Sequence, residues 1–171
     1  EPVLTRPCPR PARGTPLTGM SASPAAGDAC AFVLELPSDP RVIETAVAYL
    51  VDRLRAYDFN GSRLNLNFRV GVAEALANAM IYGNGGDPEK RVRVEVELSS
   101  QAVALHVHDE GEGFDDGTVP DPTLPENLDR PGGRGIFLIR ELMDEVQYSP
   151  PGNSVRMVLR REHDLRRASG P

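Results

Sequence analysis

Two runs of strict alternation constrain this chain more than any other feature. Val92, Val94, Val96 and Leu98 alternate with Arg91, Arg93, Glu95 and Glu97, and beyond Ser99 and Ser100 the pattern resumes with Val103, Leu105 and Val107. Strand side chains point alternately to opposite faces, so the runs predict a hairpin with one wet face and one face that must be covered. The cover is expected upstream. Asp39 followed by Pro40 supplies an N-cap and a preset first turn for a helix to about Tyr57, with Val42, Ile43, Ala46, Val47, Leu50 and Leu54 on its apolar stripe. A second helix is predicted from Ser62 to about Tyr82, stopped by Gly83, Asn84, Gly85 and Gly86.

A short strand at Ala31 to Leu36 precedes these helices. Downstream, Gly111 to Pro131 is too rich in Gly, Pro and Asp for a regular element. A loop of that length inside a compact domain is usually functional. A third helix is expected from about Gly135 to about Glu145. Val155, Met157 and Leu159 then mark a closing strand after a turn at Pro150, Pro151, Gly152 and Asn153. The order strand, helix, helix, hairpin, loop, helix, hairpin predicts an α+β chain, with helices on one face of a mixed, largely antiparallel sheet.

The 171 residues suffice for one domain, expected over 29–162. Residues 1–28 hold six of the sixteen prolines and few apolar side chains, the composition of a disordered leader or linker, and 163–171 read as a tail. A net charge of -6 and a pI near 5.1 argue against a nucleic acid partner, because phosphate backbones would be repelled. Neither a membrane span nor a signal peptide is visible, so a cytoplasmic protein is expected. Cys8 and Cys30 lie in no CxxC or Cys/His cluster and read as bystanders.

Three constellations carry chemistry. From Val70 to Ile81 every residue is apolar or Gly except Glu74 and Asn78, which sit one turn apart on one face of a helix expected to be buried nearly all round. A buried carboxylate is costly unless paired. It is either a structural Glu satisfied by a neighbour, or a general base beside a carboxamide oxygen suited to Mg²⁺. In the run DEGEGFD, alternation places Asp109 inward at a strand end, where it could accept from an exocyclic amine. Gly111 and Gly113 allow a sharp turn beside a flat ring. DxGxG also occurs in ordinary turns and calcium loops, although the further oxygen ligands of a calcium loop do not follow here. In the run GGRGIFLI, Gly132, Gly133 and Gly135 lead into an amphipathic helix whose free N–H groups would make an anion site. It is neither a Walker loop nor a dinucleotide fingerprint. Arg130 and Arg134 flank it and either reach a γ-phosphate or stay solvated. His106 and His108 fall on the strand face opposite Asp109. In combination the three give metal and base, adenine contact, lid and phosphate cradle, one ATP site in four pieces.

These runs resemble the superfamily of DNA gyrase, the heat-shock chaperone, histidine kinases and mismatch-repair ATPases. EALANAMIYGN is similar to its N box, DEGEGFD to its G1 box, and GGRGIFLIRELMDEV to its G2 box and following helix. The NAxxxGN ending and the G2 run most resemble the anti-sigma factor serine/threonine kinases, over about Phe32 to Arg160. The resemblance implies a two-layer α/β sandwich, the Bergerat fold, holding ATP and Mg²⁺ under a mobile lid. It implies phosphorylation of a Ser or Thr on an anti-sigma factor antagonist and capture of a sigma factor, and it leaves room for a homodimer. By the same resemblance Glu74 is the catalytic base, Asn78 the Mg²⁺ ligand and Asp109 the adenine contact. Gly111 and Gly113 form the turn beside the base, and Gly133 and Gly135 contact phosphate. Tyr82 stands where many relatives carry His. A rival reading is an ATP-gated module that sequesters a partner with little or no kinase activity. The ATPase half of a histidine kinase is a third, disfavoured because no His-bearing helical segment precedes the domain.

Overall fold

The computed structural model describes residues 3–4, 30–119, 122–124, 127 and 133–161. Its sheet contains β1 (Val3–Leu4), β2 (Cys30–Pro37), β3 (Arg91–Leu98), β4 (Ala102–Asp109), β5 (Glu145–Ser149) and β6 (Ser154–Arg160). The strand order is β1-β2-β3-β4-β6-β5, and every described pairing is antiparallel. Within the stretch expected to be a structureless leader, Val3 and Leu4 pair with Glu35 and Leu34. The rest of that leader, residue 162 and the tail from 163 lie outside the described residues.

The alternation decides which face is covered. Phe32, Leu34 and Leu36 of β2, Val92, Val94 and Val96 of β3, Val103, Leu105 and Val107 of β4, and Val155, Met157 and Leu159 of β6 are all buried in one core. Their neighbours form the polar face, where Arg93 pairs with Glu35 and Glu95 at 2.8 Å each. Exposed pairs of this kind add little stability. The helix layer covers the apolar face, as the hydrophobic pattern requires. Asp39 caps the first turn by accepting from Arg41 N–H at 3.0 Å, and α1 (Ile43–Ala56) follows a tight turn at Pro40–Val42. It buries Ala46, Val47, Leu50, Val51 and Leu54.

The second helix is continuous, but only its centre, α2 (Arg69–Ala77), has regular α-helical pairing; Leu64–Phe68 and Asn78–Gly83 form wider π-type turns. Such widening often marks functional stretches. Leu64, Phe68, Val72, Leu76 and Met80 are buried, but Ile81 is 44% exposed. Burial nearly all round, expected from the composition, therefore fails on one stripe: a helix in a two-layer sandwich meets the sheet on one side only. The third helix, α3 (Arg134–Leu142), ends three residues earlier than expected. The cause is β6. Asp144 N–H donates to the Val158 carbonyl at 2.8 Å, while its carboxylate takes Arg63 at 2.9 Å and Arg160 N–H at 2.6 Å, so Glu145 already belongs to β5.

Cys30, expected to be a bystander, is buried and disulfide-bonded; Cys8 lies outside the described residues. No helix among the described residues is long and apolar enough to cross a membrane.

Candidate functional site

The C-terminal half of the second helix, the end of β4, the turn before β6 and the start of α3 surround one cavity of about 840 Å³. Glu74, Asn78, Asp109, Gly113, Gly133, Arg134 and Gly135 all line it. Gly111 lies against the Gly83 backbone at its edge. Arg130 and Gly132 fall outside the described residues. His108 is exposed, and neither it nor His106 borders the cavity, as the strand alternation predicts.

At one end α3 abuts the second helix. A Cβ on Gly135 would stand 2.8 Å from Glu74 Oε2 and 3.3 Å from Asn78 Oδ1, so glycine lets the α3 start come this close to both polar groups with neither side chain displaced. The approach is held from behind, where Gly71 packs on Met143 and Asn67 donates to the Leu142 carbonyl at 2.9 Å. Gly133 caps α3 with φ of 78°, a conformation that disfavours other residues, and accepts from Phe137 N–H at 2.9 Å. No acidic side chain occupies the first turn, and Gly133 at the cap has no side chain to fill it, so the turn presents its N–H end to the cavity as an anion would need. Asn78 Nδ2 is buried with no hydrogen-bond partner. A buried polar atom left unpaired calls for an explanation, and a bound group is one.

At the other end Asp109 is 8% exposed. Its Oδ1 accepts from Gly111 N–H at 2.8 Å, and its own N–H donates to the Asn153 carbonyl at 3.0 Å. Burial pushes its carboxyl above the usual carboxylate range; the Gly111 hydrogen bond and the charges of His108 and Lys90 pull partly back. Gly83 is required here, since a Cβ would stand 2.5 Å from either Asp109 oxygen.

Several lining residues escaped the sequence reading. Asn84, 2% exposed, donates through Nδ2 to the Arg91 carbonyl at 3.0 Å and accepts through Oδ1 from Glu110 N–H at 2.8 Å. It ties the helix end to β3 and to the residue after β4 and so fixes Gly83 beside Asp109; in the sequence it stands out only as part of the helix stop and as the last residue of the NAxxxGN run. Phe114 and Tyr148 meet edge to face at 5.2 Å in the wall. Lys90 also reaches the cavity, with nothing in its neighbourhood to announce it.

Among the described residues no three His, Cys, Asp or Glu side chains converge on a common metal position. One carboxylate beside one carboxamide, a helix start open to anions and an apolar chamber ending in a buried aspartate are instead the parts of a nucleoside polyphosphate site. A search of curated protein sequences finds no match to the chain. The family model of the histidine kinase-like ATPase domain matches residues 36–159, which include every described part of the cavity. The chain belongs to the histidine kinase-like ATPase domain family, an ATP-binding domain family.

Proposed function

We propose that the chain is a protein serine/threonine kinase of the anti-sigma factor type, which transfers the γ-phosphate of ATP to a Ser or Thr of an antagonist protein and holds a sigma factor in its other state. The observation that carries the reading is the placement of Glu74 and Asn78 side by side against the Gly135 cradle, at the anion-ready end of the cavity. A nucleotide clamp has no need of a carboxylate there; a kinase does.

In this reading Asp109 accepts from the adenine amine, and Gly111 and Gly113 shape the turn that lets the base lie against it. The N–H groups of α3 beyond Gly133 and Gly135 receive phosphate oxygens, with Arg134 at the rim. Arg130 and Gly132 are assigned to the same cradle from the sequence alone. Mg²⁺ fits the residues present. Asn78 lines the cavity with its Nδ2 buried and without a hydrogen-bond partner, and the oxygen of the same carboxamide is a hard ligand; Mg²⁺ typically takes few protein ligands, leaving the rest to water and phosphate. When bound, the ion would neutralise charge on the phosphate oxygens. Glu74 takes the proton from the attacking hydroxyl as its oxygen bonds to the γ-phosphorus, and the bond to the ADP oxygen breaks. Little more is asked of the protein, because phosphoryl transfer depends chiefly on positioning and charge neutralisation.

Labelled ATP, Mg²⁺ and a candidate antagonist should yield a labelled antagonist. Glu74→Gln should lower the rate by at least about a hundredfold, the usual worth of a general base, with ATP affinity nearly unchanged. Nucleotide-dependent capture of the antagonist without label would favour the clamp instead.

A further inference from the structure

Among the described residues, Lys90 is the one cationic side chain at the Asp109 end of the cavity wall that no sequence motif announces. It is half-buried and lines the cavity, and its ammonium has no hydrogen-bond or ion-pair partner among the described residues. Its backbone, by contrast, is pinned. Lys90 N–H donates to the Asp87 carbonyl at 3.2 Å, and its carbonyl accepts from Ser38 N–H at 3.2 Å. The next residue is held as firmly, with Arg91 N–H donating to Glu110 Oε2 at 2.6 Å and the Arg91 carbonyl accepting from Asn84. A side chain with a fixed root and an unsatisfied donor, reaching a cavity where a buried carboxylate already waits, is poised to meet a ligand atom that accepts.

The chemistry of the base says which atom. The exocyclic amine of adenine is flanked on either side by a ring nitrogen, N1 and N7, each a hydrogen-bond acceptor. An acceptor on the protein for the amine, next to a donor, therefore matches two adjacent groups of the base edge. We propose that Lys90 reads adenine together with Asp109, donating from its ammonium to the ring nitrogen beside the amine that Asp109 accepts. Lys90 is thus a binding residue for the base and takes no part in phosphoryl transfer. The assignment rests on the ATP reading of the cavity and adds a second base contact to it.

The test uses the whole protein and nucleotides that lack one ring nitrogen, 1-deaza-ATP and 7-deaza-ATP, with affinities measured by titration calorimetry. A charge-assisted hydrogen bond at a partly wet site is worth about tenfold in affinity. Wild type should bind one of the two analogues about tenfold more weakly than ATP. Lys90→Met, which keeps the length and removes the donor, should bind that analogue and ATP equally, and Lys90→Gln should fall between. The same loss on Lys90→Met should appear with adenosine, which carries the base without phosphates. Equal binding of ATP and both analogues by wild type overturns the proposal, as does discrimination that survives in Lys90→Met. A loss seen with ATP and absent with adenosine also overturns it, since Lys90 would then be reading phosphate. Failure of wild type to bind ATP at all would sink the nucleotide reading itself, a result distinct from these.

Discussion

At the Asp109 end of the cavity main chain meets main chain, since a Cβ on Gly111 would overlap the Gly83 carbonyl; at the Glu74 end a Cβ on Gly135 would meet side-chain tips alone, Glu74 Oε2 at 2.8 Å and Asn78 Oδ1 at 3.3 Å. The two ends differ in hydrogen bonding as well. Asp109 and Asn84 are held by Gly111, Glu110 and Arg91, whereas Asn78 Nδ2 is buried without a partner and Gly133 brings no side chain to cap α3. At the Asp109 end the main chain and the carboxylate are fixed before any ligand arrives, and the Lys90 ammonium is what stays open there. The other is left with unsatisfied groups that a polyphosphate and a cation would complete, which suits a site whose ligand changes charge during a reaction.

That contrast predicts that glycine substitutions at the two ends fail in different currencies. The largest effect should come from Gly111→Ala, because neither backbone can yield cheaply. It should destabilise the fold by about 3 kcal/mol, the upper part of the overpacking range, and chemical denaturation would measure it. A loss below about 1 kcal/mol would show that this end is more pliable than its contacts imply.

Asp109→Asn should come next, weakening ATP about tenfold by turning an amide donor toward the adenine amine. It also carries a pH signature. Burial raises the Asp109 pKa above its unfolded value, so the native protein holds an extra proton between the two. The stability attributable to this group is present below the unfolded value and lost as pH rises through the raised one. Nucleotide affinity should move the other way, falling on acidification through the raised pKa as the carboxylate becomes a poorer acceptor. Affinity measured across a pH series should show that fall in wild type and a flat profile in Asp109→Asn. A fall that persists in the variant would place its origin elsewhere.

The smallest effect on stability belongs to Gly135→Ala, below about 1 kcal/mol, because Glu74 can swing its tip away. Its cost should appear in the ligand. Displaced from the α3 start, phosphate should bind about two- to fivefold more weakly, the worth of a helix N-terminus, with adenosine affinity unchanged. Equal losses for ATP and adenosine would show that the two ends are one rigid unit.

The sequence by itself determined the central strands β2, β3, β4 and β6, their covered face and the layer that covers it, because side-chain alternation and helical stripes are local patterns that burial obeys; the pairing of Val3 and Leu4 with β2 it did not announce. It also singled out Glu74, Asn78, Asp109, Gly113, Gly133, Arg134 and Gly135, polar or glycine positions that local rules do not otherwise explain, and these line one cavity. It misjudged Ile81 and the end of α3, since exposure and helix length there depend on what stands opposite, the open outer side of the helix layer in one case and β6 in the other. Tyr148 and Lys90 had no local signature at all, and Asn84 and Phe114 stand inside the NAxxxGN and DEGEGFD runs with nothing there to mark them as cavity residues. Their presence at the cavity follows from which loops and strands the fold sets side by side, a matter of contacts between residues far apart in the chain that only the tertiary structure decides.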